Sequence, residues 1–169
     1  MRLRGLYIVV ALASLVFYSC EKEYSYEGGT LLTPPDSIPV VSSADTMLAT
    51  VNGSGWVAQT ISASAFSGQI EITGSSLTGP PAVSLTMAST ASPGAPYAFG
   101  STGSPYTGIY LPTTTGFLQS TSGQLTILEN DSVTRRVRGN FQFLATDPTG
   151  QTADSAELTL GYFSVQHNP

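Results

Sequence analysis

The 169-residue sequence predicts an all-β protein, an antiparallel β-sandwich or flattened barrel that follows a signal peptide and a flexible tether. Three observations carry this expectation. Ser and Thr make up about a quarter of the chain, joined by 17 Gly and 11 Pro, while only 10% of residues are charged. That mixture suits strands and turns, because Ser, Thr and Gly are poor helix-interior residues and Thr fits a pleated surface. From about Asp45 onward, short stretches alternate apolar and polar residues as half-buried strands do. No stretch after residue 20 carries the 3.6-residue period of an amphipathic helix.

The elements follow in chain order. Met1 to Gly5 includes Arg2 and Arg4 as a basic start, and Leu6 to Phe17 is an apolar run of signal-peptide length, too short to cross a bilayer comfortably. Ser19 then offers a small residue before Cys20, so residues 1–19 are expected to be cleaved as a leader. Residues 20–44 hold Gly28-Gly29, Pro34-Pro35 and several Ser without any sustained period, which predicts a tether. Fully extended, it would reach on the order of 70 Å at about 3.1 Å per residue. Residues 45–169 form the single β domain, a length compatible with one core.

Within that domain Met47, Ala49 and Val51 share one face of a first strand. Asn52-Gly53 is the strongest two-residue hairpin signal, since both positions of a type I′ turn need positive φ. The chain is expected to return through Trp56, Ala58 and Thr60. Ile70 and Ile72 alternate with Gln69, Glu71 and Thr73, and Val83, Leu85 and Met87 alternate with Ser84 and Thr86, which predicts two more strands. Near the end, Leu125 and Ile127 lie on a strand, Glu129 to Ser132 form a turn, and Val133 to Ala145 return with Phe141 and Phe143 inward. Asp147 to Gly150 make a second turn. Leu158, Leu160, Phe163 and Val165 belong to the last strand, and their change of parity across Gly161 predicts a β-bulge.

Cysteine narrows the chemistry most. One Cys cannot form an internal disulfide, and one Cys with one His cannot build a structural zinc site. Cys20 stands where the apolar run stops, and its surroundings resemble a lipobox, although Phe17 and Tyr18 occupy positions where that pattern prefers Leu and a small residue. The resemblance implies a lipid-modified Cys20, whose acyl chains hold the mature protein on a membrane. Glu21 follows the lipidated position, and Glu21-Lys22-Glu23 resembles the short charged signals of surface lipoproteins. The expected location is therefore the cell envelope, at the outer membrane and facing outward.

A family resemblance rests on Asn52-Gly-Ser-Gly-Trp56, on Gly108-Ile-Tyr110-Leu111, on Val137-Arg-Gly-Asn-Phe141-Gln-Phe143 and on Gly161-Tyr-Phe163-Ser-Val165. Together these resemble uncharacterised Bacteroidetes-type lipoproteins, whose small β domain opens with N-G-x-x-W and closes on G-x-F-x-V. The resemblance covers roughly residues 45 to 166 and implies fold and location, with no catalytic residue.

Charge and motifs exclude several functions. Removal of the leader leaves four Lys/Arg against eleven Asp/Glu, and so acidic a chain disfavours nucleic acid, which needs basic side chains to replace phosphate counterions. P-loop, dinucleotide and H-E-x-x-H motifs are absent, so no cofactor is expected. A triad would have to use His167, beside the chain terminus where ends fray. A glycosidase pair would need two of Glu71, Glu129 and Glu157 within about 5 to 10 Å in a cleft. The expectation is a non-enzymatic envelope protein that binds a glycan or protein partner or serves structurally. The alternative is a small extracytoplasmic hydrolase.

Four features are candidates for contact or modification. Arg135, Arg136 and Arg138 are expected on one strand, with Arg136 and Arg138 opposite Phe141 and Phe143, where they could hold an anionic ligand or neutralise neighbouring acids. Tyr97, Phe99, Tyr106, Tyr110 and Phe117 punctuate a Ser/Thr/Gly/Pro-rich stretch, either as a stacking platform for sugars or as cover over one end of the core. Asp147 to Asp154 and Glu129 to Asp131 place oxygen atoms in turns, although without calcium-loop spacing, and no metal site is assigned. Four of the five aspartates precede Ser or Thr and then an apolar residue. These triplets resemble an O-glycosylation sequon, with Ser37, Thr46, Ser132 and Ser155 as acceptors, and they also have ordinary turn chemistry.

Overall fold

The computed structural model describes residues 44–100 and 104–169. The expected leader, Cys20, Ser37 and nearly all of the tether lie outside the described residues. The rest forms ten strands: β1 (Thr46–Val51), β2 (Ser54–Val57), β3 (Thr60–Phe66), β4 (Gln69–Ser76), β5 (Gly79–Ala88), β6 (Pro96–Ala98), β7 (Thr107–Leu111), β8 (Leu118–Asp131), β9 (Arg136–Thr146) and β10 (Ser155–Gln166). They pair in one antiparallel sheet ordered β2-β1-β10-β9-β8-β7-β5-β4-β3, with β6 joined to β8 off that path. The sheet curls into a half-barrel, and its concave face encloses the core.

Local sequence explains the early hairpins. Asn52 and Gly53 adopt φ of 48° and 80° between the paired Val51 and Ser54, as a two-residue type I′ turn requires. The alternation of β4 and β5 puts Ile70, Ile72, Val83, Leu85 and Met87 inside. Trp56 is also buried, and its indole N–H donates to the Pro81 carbonyl at 3.4 Å.

Glycines shape the middle of the sheet. Gly123 pairs with Phe143, while Gly139 pairs with Phe163 and Gly161 with Phe141. An added Cβ would stand 2.7 Å from the Phe163 ring at Gly139 and 2.6 Å from the Phe141 ring at Gly161. Each ring therefore lies over a neighbouring strand that has no side chain there, covering backbone that glycine would otherwise leave open. Phe141 and Phe143 pack with ring centroids 6.0 Å apart, and Phe163 is fully buried.

Several expected details shift. The β8–β9 turn begins beyond Asp131, so Val133 sits at its tip and is 89% exposed instead of starting a strand. The reason is Asp131, whose carboxylate accepts the N–H groups of Val133 at 2.8 Å and Thr134 at 3.3 Å. Arg135 lies in this turn with φ of 55°, off the strand that carries Arg136 and Arg138. The expected bulge occurs between Leu158 and Gly161. It turns Leu160 outward, so that residue leaves the core. Thr60 opens β3 instead of ending the return strand.

The two ends of the half-barrel differ. The described chain enters at one, here called proximal, where Asp45 accepts the Gln166 N–H at 3.0 Å. The β3–β4 and β8–β9 turns and the end of β10 share this end. Beyond β10, Asn168 reaches β3: Ala65 N–H donates to its carbonyl at 2.8 Å, and its own N–H donates to Ala63 at 3.1 Å. The distal end carries the Asn52-Gly53 turn and the long β9–β10 connection.

Candidate functional site

Strand β9 directs alternate side chains to opposite faces, so Val137, Phe141 and Phe143 fill the core while Arg136 and Arg138 lie on the outer wall. Register then supplies their partners. Arg138 pairs across with Glu129 and Arg136 with Asp131. Arg138 Nη2 forms an ion pair with Glu129, and its Nε is enclosed without an acceptor. Arg136 donates through Nε and Nη2 to the buried Ser164 hydroxyl at 3.3 and 3.0 Å. An anion arriving at this pair would compete with those contacts.

The aromatic stretch folds largely onto the protein. Phe99 is buried and meets Phe143 edge-on at 5.3 Å. Tyr97 and Tyr106 stack on each other with centroids 4.3 Å apart, half-buried against the core. Tyr97 also ties down its loop, accepting the Ser92 N–H at 2.7 Å and donating to the Ser92 carbonyl at 3.1 Å. Burial first, and Tyr97 second, raise the Tyr106 hydroxyl above its ordinary value. Burial does the same at Tyr110. Phe117 is the most exposed ring of this group.

The carboxylates are dispersed. Glu71 lies on β4, Glu129 near the proximal end of β8 and Glu157 toward the distal end of β10, with β5 and β7 between the first two. A shallow depression of about 240 Å³ lined by Ser122, Gln142, Leu144, Glu157 and Thr159 contains one carboxylate. Among the described residues no three His, Cys, Asp or Glu side chains come together as a metal-ligand group.

Asp147 and Asp131 organise turns. Asp147 accepts from the Thr149 N–H and hydroxyl at 2.8 and 2.7 Å, and from those of Thr152 at 2.8 and 3.1 Å. These donors, the Thr149 hydroxyl foremost, hold its carboxyl down at about 2. The Thr134 hydroxyl likewise lowers Asp131, with help from the N–H groups of Val133 and Thr134. A carboxyl depressed in the folded state stabilises fully above its unfolded value and loses that contribution as pH falls through the folded one. The stability difference between wild type and Asp147→Ala should therefore hold steady down to about pH 4 and shrink toward pH 2. Urea midpoints across that range check this, and a difference independent of pH would contradict it.

The remaining candidate residues lie at strand borders. Ser132 is exposed in the β8–β9 turn and Ser155 is exposed at the start of β10. Thr46 is half-buried at the start of β1, donating to the Ala44 carbonyl at 3.3 Å. His167 is held through its backbone, whose N–H donates to the Arg135 carbonyl at 3.0 Å. Sequence reasoning missed that Phe66, Val133 and the chain's point of entry share the proximal end, which depends on strand order and has no local signal.

Among curated proteins and among solved structures nothing matches the chain. A family model described as a domain of unknown function matches residues 44–164, from just before β1 to within β10, so the chain belongs to the DUF6252 family.

Proposed function

We propose that this chain is a non-enzymatic, lipid-anchored protein of the bacterial cell envelope, of the Bacteroidetes lipoprotein type. Residues 1–19 are its leader and Cys20 its acylated N-terminus. One observation carries the reading: the single Cys of the chain stands three residues past the end of an apolar run of signal-peptide length. Two or more acyl chains suffice for stable anchoring, and residues 20–44 link the acylated end to the β domain. Glu21-Lys22-Glu23 favours the outer membrane, facing outward.

The domain itself acts by contact, as a binding or structural body. Its dispersed carboxylates and the engaged Arg136 and Arg138 support that role over hydrolysis, which needs an acid and a base converging on one bond. A glycan or an envelope protein is the partner class that fits such a location. Cys20→Ala should abolish palmitate labelling and shift the protein from the membrane fraction to the soluble one. Undiminished labelling in that variant would overturn the anchor.

A further inference from the structure

The two most exposed large apolar side chains among the described residues are Val133, at 89%, and Phe66, at 81%. Both stand at hairpin turns of the proximal end. A short bonded path connects their hairpins: Arg135 accepts from His167, and the next residue, Asn168, bonds Ala63 and Ala65 beside Phe66. The chain enters the domain at this same end, where Asp45 is tied to Gln166. Leu77, at the distal end, and Leu160, on the bulge of β10, are also exposed, as are Val57 and, to a lesser degree, Phe117, Leu128 and Leu144. Exposed apolar residues scattered over a surface are ordinary.

Charge divides the molecule along the same axis. The proximal half holds Arg135, Arg136 and Arg138 against Asp45, Glu71, Glu129 and Asp131, a near balance. The distal half holds Asp147, Asp154 and Glu157 with no basic side chain. An anionic headgroup layer therefore repels the distal end most, within about a Debye length of 8 to 10 Å.

We infer that the proximal end rests on a lipid bilayer, with Phe66 and Val133 dipping into the interfacial layer and the acidic distal end pointing away. The position of the N-terminal chain, the two apolar tips at one end and the charge division all orient the domain the same way. This inference rests on the lipid-anchored reading for the source of the membrane. Shallow insertion of apolar tips, together with a lipid anchor, follows the two-signal logic of peripheral proteins. In that orientation the distal turns are outermost.

The test makes use of the lone cysteine. The processed chain from Cys20 onward is coupled through that thiol to a maleimide lipid in vesicles of phosphatidylethanolamine with a minority of phosphatidylglycerol. This fixes attachment whether or not cells acylate Cys20, so palmitate labelling judges the anchor separately. Phe66→Trp should lose roughly half of its added emission to brominated acyl chains, whereas Leu77→Trp should keep its emission. Introducing Val133→Asp beside Phe66→Trp should restore most of the loss. Both positions are exposed, and circular dichroism verifies the fold. Equal quenching at residues 66 and 77, or indifference to Val133→Asp, would overturn the inference.

Discussion

Replacing Gly123 with alanine is expected to destabilise the domain by roughly 4 kcal/mol, as backbone strain and overpacking act together. Gly123 has φ of +130°, a conformation that residues with a Cβ rarely adopt. An added Cβ would fall 2.2 Å from the Gln142 carbonyl oxygen and 2.5 Å from the Phe143 Cα. Both atoms are backbone of the paired strand β9, so no rotamer change relieves the contact. The β8–β9 pair would have to part locally, exposing Phe143 and the base of the core. Against a total stability of about 5 to 15 kcal/mol for a domain of ordinary size, such a loss removes a large share of the folding margin. Urea denaturation measures it, and a midpoint equal to wild type would show that the strands can separate at little cost.

Phe163→Ala should cost about 3 to 5 kcal/mol, the range for removing a fully buried ring. Phe163 has no exposed surface. Its ring fills the place that a side chain at Gly139 would occupy and lies 6.5 Å from the Phe141 ring. Truncation therefore leaves a hole bounded on one side by glycine, which has nothing to move into it. Backbone also borders that place, since an added Cβ at Gly139 would meet the Thr126 carbonyl oxygen at 2.7 Å. Calorimetry should show a lower midpoint without loss of cooperativity. A cost below about 1 kcal/mol would mean that the surrounding rings collapse into the space.

The strands legible in the sequence were those whose inward residues are apolar and evenly spaced, as at Ile70 and Ile72 or Val83, Leu85 and Met87. Strand β7 was hidden because its one fully buried position is Gly108, where an added Cβ would stand 2.7 Å from the Phe143 ring. The apolar volume is supplied by another strand, so β7 shows no alternation. The first half of β8 was hidden for a related reason. Its inward residues are Leu118 and Ser120, and irregular register between Ser120 and Ser122 moves the inward set to Leu125 and Ile127. The outer-wall placement of Arg136 and Arg138 followed from parity alone. Their partners did not, because Ser164 and Glu129 are brought beside them by the registers of two neighbouring strands. Val133 misled by its residue type: a β-branched residue after a turn signal suggests a strand, but the Asp131 carboxylate extends the turn past it.

The pairing of β1 with β10 also governs when the fold can form. β1 is the earliest described strand to be synthesised, and its partner in the sheet is the latest. Closing such a long loop is entropically expensive until many other contacts exist, so chains of this topology fold slowly. β1 and β2 by themselves make a two-stranded ribbon, which is marginal in water. The sheet is therefore completed only once its last strand has been made and has found β1.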